Sequence, residues 1–236
     1  MLETFDWDVF LQPYELAITG FIIKFESIKK QYILKEKKNP IELITGRVKT
    51  PASILEKARR FDIKFDEIPD KIQDIGGIRI TCKYVNDVYF VLEILKARKD
   101  MEIELIKDYI KEPKPSGYRS IHVVAKYNVE TIEGQKQIYI EFQIRTLAMH
   151  LWASIEHSLN YKYYQKIPES IQLKLVEASK ITDLLDSGMT EIQKEVDSFE
   201  NGSVREEYEF AWEINNLKKG NIWDILFTEK MNLKTK

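Results

Sequence analysis

The stretch Gln137 to Leu147 reads QIYIEFQIRTL. Ile138, Ile140, Phe142 and Ile144 alternate with Tyr139, Glu141, Gln143 and Arg145, the period of a β-strand with one apolar and one polar face. An acid, an amide and a guanidinium in consecutive outward positions make either a well-solvated surface or the floor of a polar site. The rest of the chain favours a site, with Glu141 at its centre.

Working outward, the sequence on both sides offers more strands of the same kind. Gln73 to Val85 (QDIGGIRITCKYV) enters through Gly76-Gly77, and Ile78, Ile80, Cys82 and Tyr84 alternate with Arg79, Thr81 and Lys83. Asp74 sits just before this strand, within reach of the sheet edge. Met101 to Ile110 reads as another strand, and His122, Val124 and Lys126 alternate with Ile121, Val123, Ala125 and Tyr127 along a third. Glu133-Gly134 marks a hairpin turn back into the opening strand. Between these lie helices. Trp7 to Lys38 carries an apolar stripe at Trp7, Leu11, Tyr14, Ile18, Phe21, Phe25, Ile28 and Tyr32, and Asn39-Pro40 is expected to end it. Asn86 to Arg98 is amphipathic through Val88, Val91, Leu92 and Leu95. The pattern predicts an α+β fold: a mixed, mainly antiparallel sheet of about five strands flanked by helices, with long N- and C-terminal helices.

Length and composition are those of an ordinary globular protein: 236 residues, 44% apolar and 31% charged, enough for a sizeable core. A net charge of −2 speaks against wholesale nucleic-acid binding and leaves room for local basic patches. The single cysteine, Cys82, excludes an internal disulfide and reads as a buried inert thiol. No signal peptide or membrane-spanning run is apparent, so a cytoplasmic location is expected.

Two basic segments accompany the polar strand faces. In Ile41 to Arg60, Thr50 is a helix N-cap with Pro51 at the first helical position, and Ser53, Lys57 and Arg60 form one stripe of the helix. Arg47 and Lys49 approach from the preceding loop. Cations, a hydroxyl and a helix N-terminus make a seat for a polyphosphate, although a basic surface helix fits the same residues. The second segment is the loop KDYIKEPKPSGYRSIH, with Lys107, Lys111, Lys114 and Arg119 around Ser116-Gly117 and Tyr118. A tyrosine there can stack on a nucleobase or pack beneath its own loop. Asp74 and Glu141 make a carboxylate pair suited to Mg²⁺, and Glu141 near that metal can take a proton from a hydroxyl. The lysines crowding the end of the first helix fit either a solvated helix end or an anion-facing one. No Walker-type glycine loop occurs.

With TGRVKTPASILEK, QDIGGIRI, KPSGYRSIH and EFQIRTLAMHLWASIEHSLNYK in this order, the chain resembles the synthetase domain of the alarmone-synthetase family, and its length resembles the small, single-domain bacterial branch. The resemblance runs from about Trp7 to Ser198. It implies transfer of the β,γ-pyrophosphate of ATP to the 3′-hydroxyl of GDP or GTP, with AMP released and Mg²⁺ as cofactor. It also implies roles. Arg47 and Arg79 would sandwich adenine, and Lys49, Ser53 and Lys57 would hold the ATP phosphates. Asp74 would bind Mg²⁺, and Glu141 would share it and activate the hydroxyl. Tyr118 would stack on guanine, with Gln143 near the acceptor and Lys107, Lys114 and His122 near its phosphates or ribose. At positions that distinguish the RelQ-like from the RelP-like subtype the chain has Glu26, Leu43 and His150, which leans to RelP-like, without strong activation by pppGpp. The only histidines are His122, His150 and His157, and none precedes an aspartate, so a synthetase without hydrolase activity is expected.

Pro168 opens a further helix whose apolar residues, from Ile171 through Leu175, Leu185 and Ile192 to Phe199, hold a four-three spacing. That seam fits either self-packing or assembly, and the family's homotetramers favour assembly. Asn201-Gly202-Ser203 is expected to end it. Residues 1–200 would form the synthetase domain and 201–236 a helical tail of one or two short helices bearing Trp212 and Trp223. Two alternatives remain at this stage: a related pyrophosphokinase acting on adenosine nucleotides or a tRNA 3′ end, and a non-catalytic RNA-binding regulator.

Overall fold

Gly76 and Gly46 let a helix lie directly on the sheet. That helix, α1 (Trp7–Leu34), runs beneath β1 (Leu43–Val48) and β2 (Gly76–Cys82). A Cβ added at Gly76 would sit 2.7 Å from Ile140 Cδ1 and 3.3 Å from Tyr14 Cδ1, and one added at Gly46 would run into Ile18. The remaining strands are β3 (Met101–Asp108), β4 (Ile121–Thr131) and β5 (Gly134–Thr146). All five form one sheet in the order β1-β2-β5-β4-β3. Only β2 and β5 are parallel, and the other three pairings are antiparallel, as the sequence pattern predicts. The computed structural model describes residues 5–162 and 168–217, with backbone only at 160–162 and 200–217.

The apolar parity of each strand faces α1 and α4 (Val85–Lys96). Ile78, Ile80, Ile140, Phe142 and Ile144 are at most 1% exposed, and Phe21 and Phe25 of α1 are fully buried against them. Phe142 meets Phe21 edge-to-face at 5.0 Å and Phe25 at 6.3 Å. The other helices are α2 (Pro51–Arg60), a 3₁₀ turn at Phe65–Glu67, α3 (Ile68–Lys71), α5 (Leu147–Lys162) and α6 (Glu169–Leu217). By internal packing the chain divides into Met1–Gly188, which holds the sheet, and Met189–Lys236.

Several elements differ from the sequence reading. Arg47, expected in a loop, lies on the edge strand β1, whose pairing with β2 sets it opposite Gly77, and β2 stops at Cys82 because Val85 already begins α4. α1 stops at Leu34 rather than Lys38, because Glu36 adopts φ +52° and closes a Schellman motif. In it the Lys37 N–H donates to Tyr32 O (2.9 Å) and the Glu36 N–H to Ile33 O (3.1 Å). β3 stops at Asp108, whose Oδ1 accepts from the N–H groups of Ile110 and Lys111 and turns the chain two residues early. α6 continues through Asn201-Gly202-Ser203, which was expected to break it. One glycine costs a helix about 1 kcal/mol, and without a following proline that does not terminate it. Trp212 therefore lies on α6, and Trp223 lies outside the described residues. Two α1 lysines serve the fold: Lys24 pairs with Asp100 (2.9 Å) and Lys29 donates to Glu42 O (2.9 Å).

Phe142 tests the core that backs the polar face. Phe142→Ala should lower unfolding stability by about 3–5 kcal/mol in urea titrations, with little change in the denaturant slope.

Candidate active site

The strand registers bring scattered polar residues into two rows across the opposite face. One row runs Arg47, Gly77, Glu141 and Val124; the next runs Thr45, Arg79, Gln143, His122 and Lys107. Gly77 stands between Arg47 and Glu141. A Cβ there would meet only Arg47 O at 3.9 Å and Glu141 O at 4.0 Å, so the missing side chain leaves the floor open. Above the rows lie adjoining cavities of about 320, 300, 610 and 420 Å³, each lined by Arg47. Every site residue expected from the sequence lines at least one of them. Together these walls carry nine Lys and Arg against four Asp and Glu, a local cationic excess in a chain of net charge −2.

On one side of the floor, α2 presents its cations. Thr50 caps it, its Oγ1 accepting from the Ser53 N–H (3.3 Å) and lying 2.9 Å from Ser53 Oγ. Ser53, Lys57 and Arg60 share the largest cavity with Arg47 and Lys49. Asp74 lies between Lys57 (2.8 Å) and Lys49 (3.0 Å). Burial works to raise the Asp74 carboxyl, but the two ammonium groups outweigh it and hold the group below the ordinary aspartate range.

In the centre, Glu141 Oε1 lies 2.9 Å from His122 Nδ1, and its Oε2 accepts from Gln143 Nε2 (2.7 Å). Burial pushes this carboxyl up as well, and His122 and Gln143 more than offset the push. His122 Nε2 lies 2.7 Å from the Tyr118 hydroxyl. An ionised carboxylate only accepts, so Nδ1 carries the hydrogen, and in the neutral ring Nε2 accepts from tyrosine. Tyr118 therefore has its hydroxyl engaged and its ring packed edge-on against Tyr109 (6.1 Å) and tilted against Trp152 (6.4 Å), with Lys114 Nζ 4.8 Å from the ring centre. It is half-buried; a base stacking on the Lys114 side would displace that ammonium.

Two carboxylates on one cavity wall, each kept ionised by its neighbours, fit a cation that also takes phosphate oxygens. Among the described residues no group of three or more His, Cys, Asp and Glu forms a closed metal cage.

The chain has relatives among known proteins. A family model described as "Region found in RelA / SpoT proteins" matches residues 46–166. The chain is 50% identical over 190 residues to "GTP pyrophosphokinase YjbM" of Bacillus subtilis (strain 168), covering 80% of this chain and 90% of that protein. The chain belongs to the RelA/SpoT family. It is also 40% identical over 194 residues to "GTP pyrophosphokinase YwaC" of the same organism, covering 81% and 92%. The solved structure of small alarmone synthetase 1 from Bacillus subtilis, bound to its product pppGpp, superposes with a TM-score of 0.78 at 49% identity, covering 80% of this chain and 97% of that one. These likenesses do not confirm the RelP-like subtype. Of the three residues behind that expectation, Glu26 lies 3.5 Å from Lys29, Leu43 is half-exposed, and His150 Nδ1 lies 2.8 Å from Arg145 Nη2.

Arg145 is the residue the sequence left unassigned. It is 3% exposed and lines a cavity with Arg47, Arg79 and Tyr118. Burial and the nearby Arg79 pull its guanidinium down to about 10. The Nε atoms of both Arg79 and Arg145 are buried without a protein partner. Outward parity with Glu141 and Gln143 was the signal that placed it on this face. Tyr109, packed on Tyr118 and His122, carried no such signal.

The Asp74 pairing sets a pH dependence. A depressed folded-state pKa contributes stability above the unfolded value near 3.9 and loses it as pH falls through the folded value. In Lys49→Met/Lys57→Met the burial effect is unopposed and the carboxyl titrates higher. Without divalent cations this double variant should lose about 1–3 kcal/mol relative to wild type at pH 7, and urea titrations should show the gap closing toward pH 3.

Proposed function

We propose that this chain is a (p)ppGpp synthetase, moving the β,γ-pyrophosphate of ATP to the 3′-hydroxyl of GDP or GTP and releasing AMP. The observation that carries the reading is one sheet face on which Asp74, Glu141 and the cations of α2 converge, in a chain half identical to a protein named a GTP pyrophosphokinase. A non-catalytic RNA-binding regulator would have no use for the two half-buried carboxylates.

Arg47 and Arg79 lie diagonally on neighbouring strands, a spacing that supports gripping adenine between guanidinium planes. Lys49, Ser53 and Lys57 hold the ATP phosphates over the start of α2. On the far side Tyr118 stacks on guanine, Gln143 orients the acceptor, and Lys107, Lys114 and His122 meet its phosphates or ribose. Asp74 and Glu141 would hold Mg²⁺, which would neutralise charge on the transferred group. Glu141 orients the 3′-hydroxyl and accepts its proton. A carboxylate held below its usual range is a weak base, which suits a loose transition state that asks more for alignment and charge neutralisation than for early proton removal.

Assembly through α6 is part of the proposal. Leu175 is buried in its own unit, whereas Met189, Ile192, Val196 and Phe199 of the second unit are 44–74% exposed, an apolar row that supports a homotetramer. The division into a synthetase domain to about residue 200 and a tail beyond it is retained on the same footing. A cytoplasmic location is likewise proposed; among the described residues no helix is long and apolar enough to cross a membrane.

Incubation with ATP and GDP or GTP should give AMP and a product heavier than the acceptor by one pyrophosphate, read by mass spectrometry. Acceptance of adenosine nucleotides or tRNA instead would select the alternative chemistry. Glu141→Gln should lower kcat by about 10²–10⁴-fold while both nucleotides still bind by calorimetry. Near-normal turnover would remove Glu141 from this role. Tyr118→Ala should raise KM for the acceptor far more than KM for ATP, since a stacked base contributes about 1–3 kcal/mol.

A further inference from the structure

The loop that carries Tyr118 is not held by the sheet alone. Ser179 of α6, 6% exposed, donates its hydroxyl hydrogen to Gly117 O at 2.5 Å. Asp183, one turn further along α6, pairs with Arg119 at 2.7 Å, and the same guanidinium donates to Ile110 O (3.1 Å) at the loop's other end. Trp152 of α5 fills the space between: its Nε1 donates to Leu175 O of α6 (2.8 Å) and its ring packs on Tyr118. Gly117 stands at φ +92°, and a Cβ there would lie 2.7 Å from Ser179 Cβ, so loop and helix are in backbone-close contact. The two residues flanking Tyr118 are thus each tied to α6, and its ring rests on a tryptophan that α6 also holds.

We infer that the first half of α6 braces the acceptor loop, with Ser179 and Asp183 as positioning residues that hold Tyr118 where the acceptor base stacks. Neither residue lines the four cavities described above; they act through Gly117 and Arg119. The inference rests on the reading of Tyr118 as the acceptor's stacking partner. It adds that acceptor affinity is set partly outside the cleft, by a helix whose distal half is the proposed assembly surface.

The test uses the full chain with Ser179→Ala and Asp183→Ala, and Tyr118→Ala as reference. Each α6 variant should raise KM for GDP or GTP by about two- to tenfold, the loss of one hydrogen bond or exposed ion pair, with KM for ATP and kcat at saturation within about twofold. Amide exchange at residues 116–119 should quicken while the β2–β5 amides stay protected, and Asp183→Glu should restore both readouts toward wild type. Asp183 is half-exposed, so its variants test the idea even if Ser179→Ala fails to fold. Equal rises in both KM values, or faster loop exchange with an unchanged acceptor KM, would overturn the brace. If Tyr118→Ala raises acceptor KM and neither α6 variant does, the brace fails and the stacking role stands; if Tyr118→Ala leaves it unchanged, the stacking role fails and the brace with it.

Discussion

The parallel pairing of β2 with β5 is the constraint on which the site depends. It sets Gly77 beside Glu141 and Arg79 beside Gln143 in one register, and β1 and β4 then extend both rows by antiparallel pairing. Side chains alternate faces along a strand, so slipping β5 by one residue would turn Glu141 and Gln143 into the core and expose Phe142. Register is therefore enforced by burial on the far face. Ile78, Ile80, Ile140, Phe142 and Ile144 must stay beneath α1 and α4, and the polar parity is carried into place with them. The glycines divide the labour: Gly76 and Gly46 admit α1 on one face, and Gly77 leaves the floor open on the other.

Electrostatics follow from that placement. The face gathers cations beyond what its acids can neutralise, yet the two central acids remain ionised because each has its own partners: lysines for Asp74, His122 and Gln143 for Glu141. Arg79 and Arg145 have no acid within salt-bridge reach among the described residues and are brought down by burial and by nearby arginine charge. Guanidinium groups in that condition, Arg145 buried and Arg79 half-buried, favour an anion, which is the chemistry of both proposed substrates.

Much of this was legible in the sequence because period two is a strong signal. QIYIEFQIRTL announces its two faces, and Thr50-Pro51 announces α2. The sequence was less informative where local backbone geometry or long-range contact decides. Glu36 in a left-handed conformation ended α1 where only Asn39-Pro40 offered a stop, and Asn201-Gly202-Ser203 resembled a break that its small propensity cost does not enforce. Tyr118 was legible as a polar-tipped ring in a basic loop; that its hydroxyl engages His122 and its ring rests on Trp152 depends on segments 4 and 34 positions away in the chain. Arg145 shared the right parity, but its burial depends on α5 folding back over the strand end.

The ion pairs within the cleft also bear on how the proposed substrates would bind. Lys49 and Lys57 are committed to Asp74, so a polyphosphate that draws on them must loosen the pair that holds that carboxylate down. Lys114 lies over Tyr118 and Tyr109, so an acceptor base stacking there as proposed would likewise take the face from an ammonium, which its own phosphates could re-engage. On the proposed reading the protein's own charges stand in for the ligand's, Asp74 for phosphate and Lys114 for a stacked base. Binding of the proposed substrates would then be an exchange of partners rather than the desolvation of bare charges.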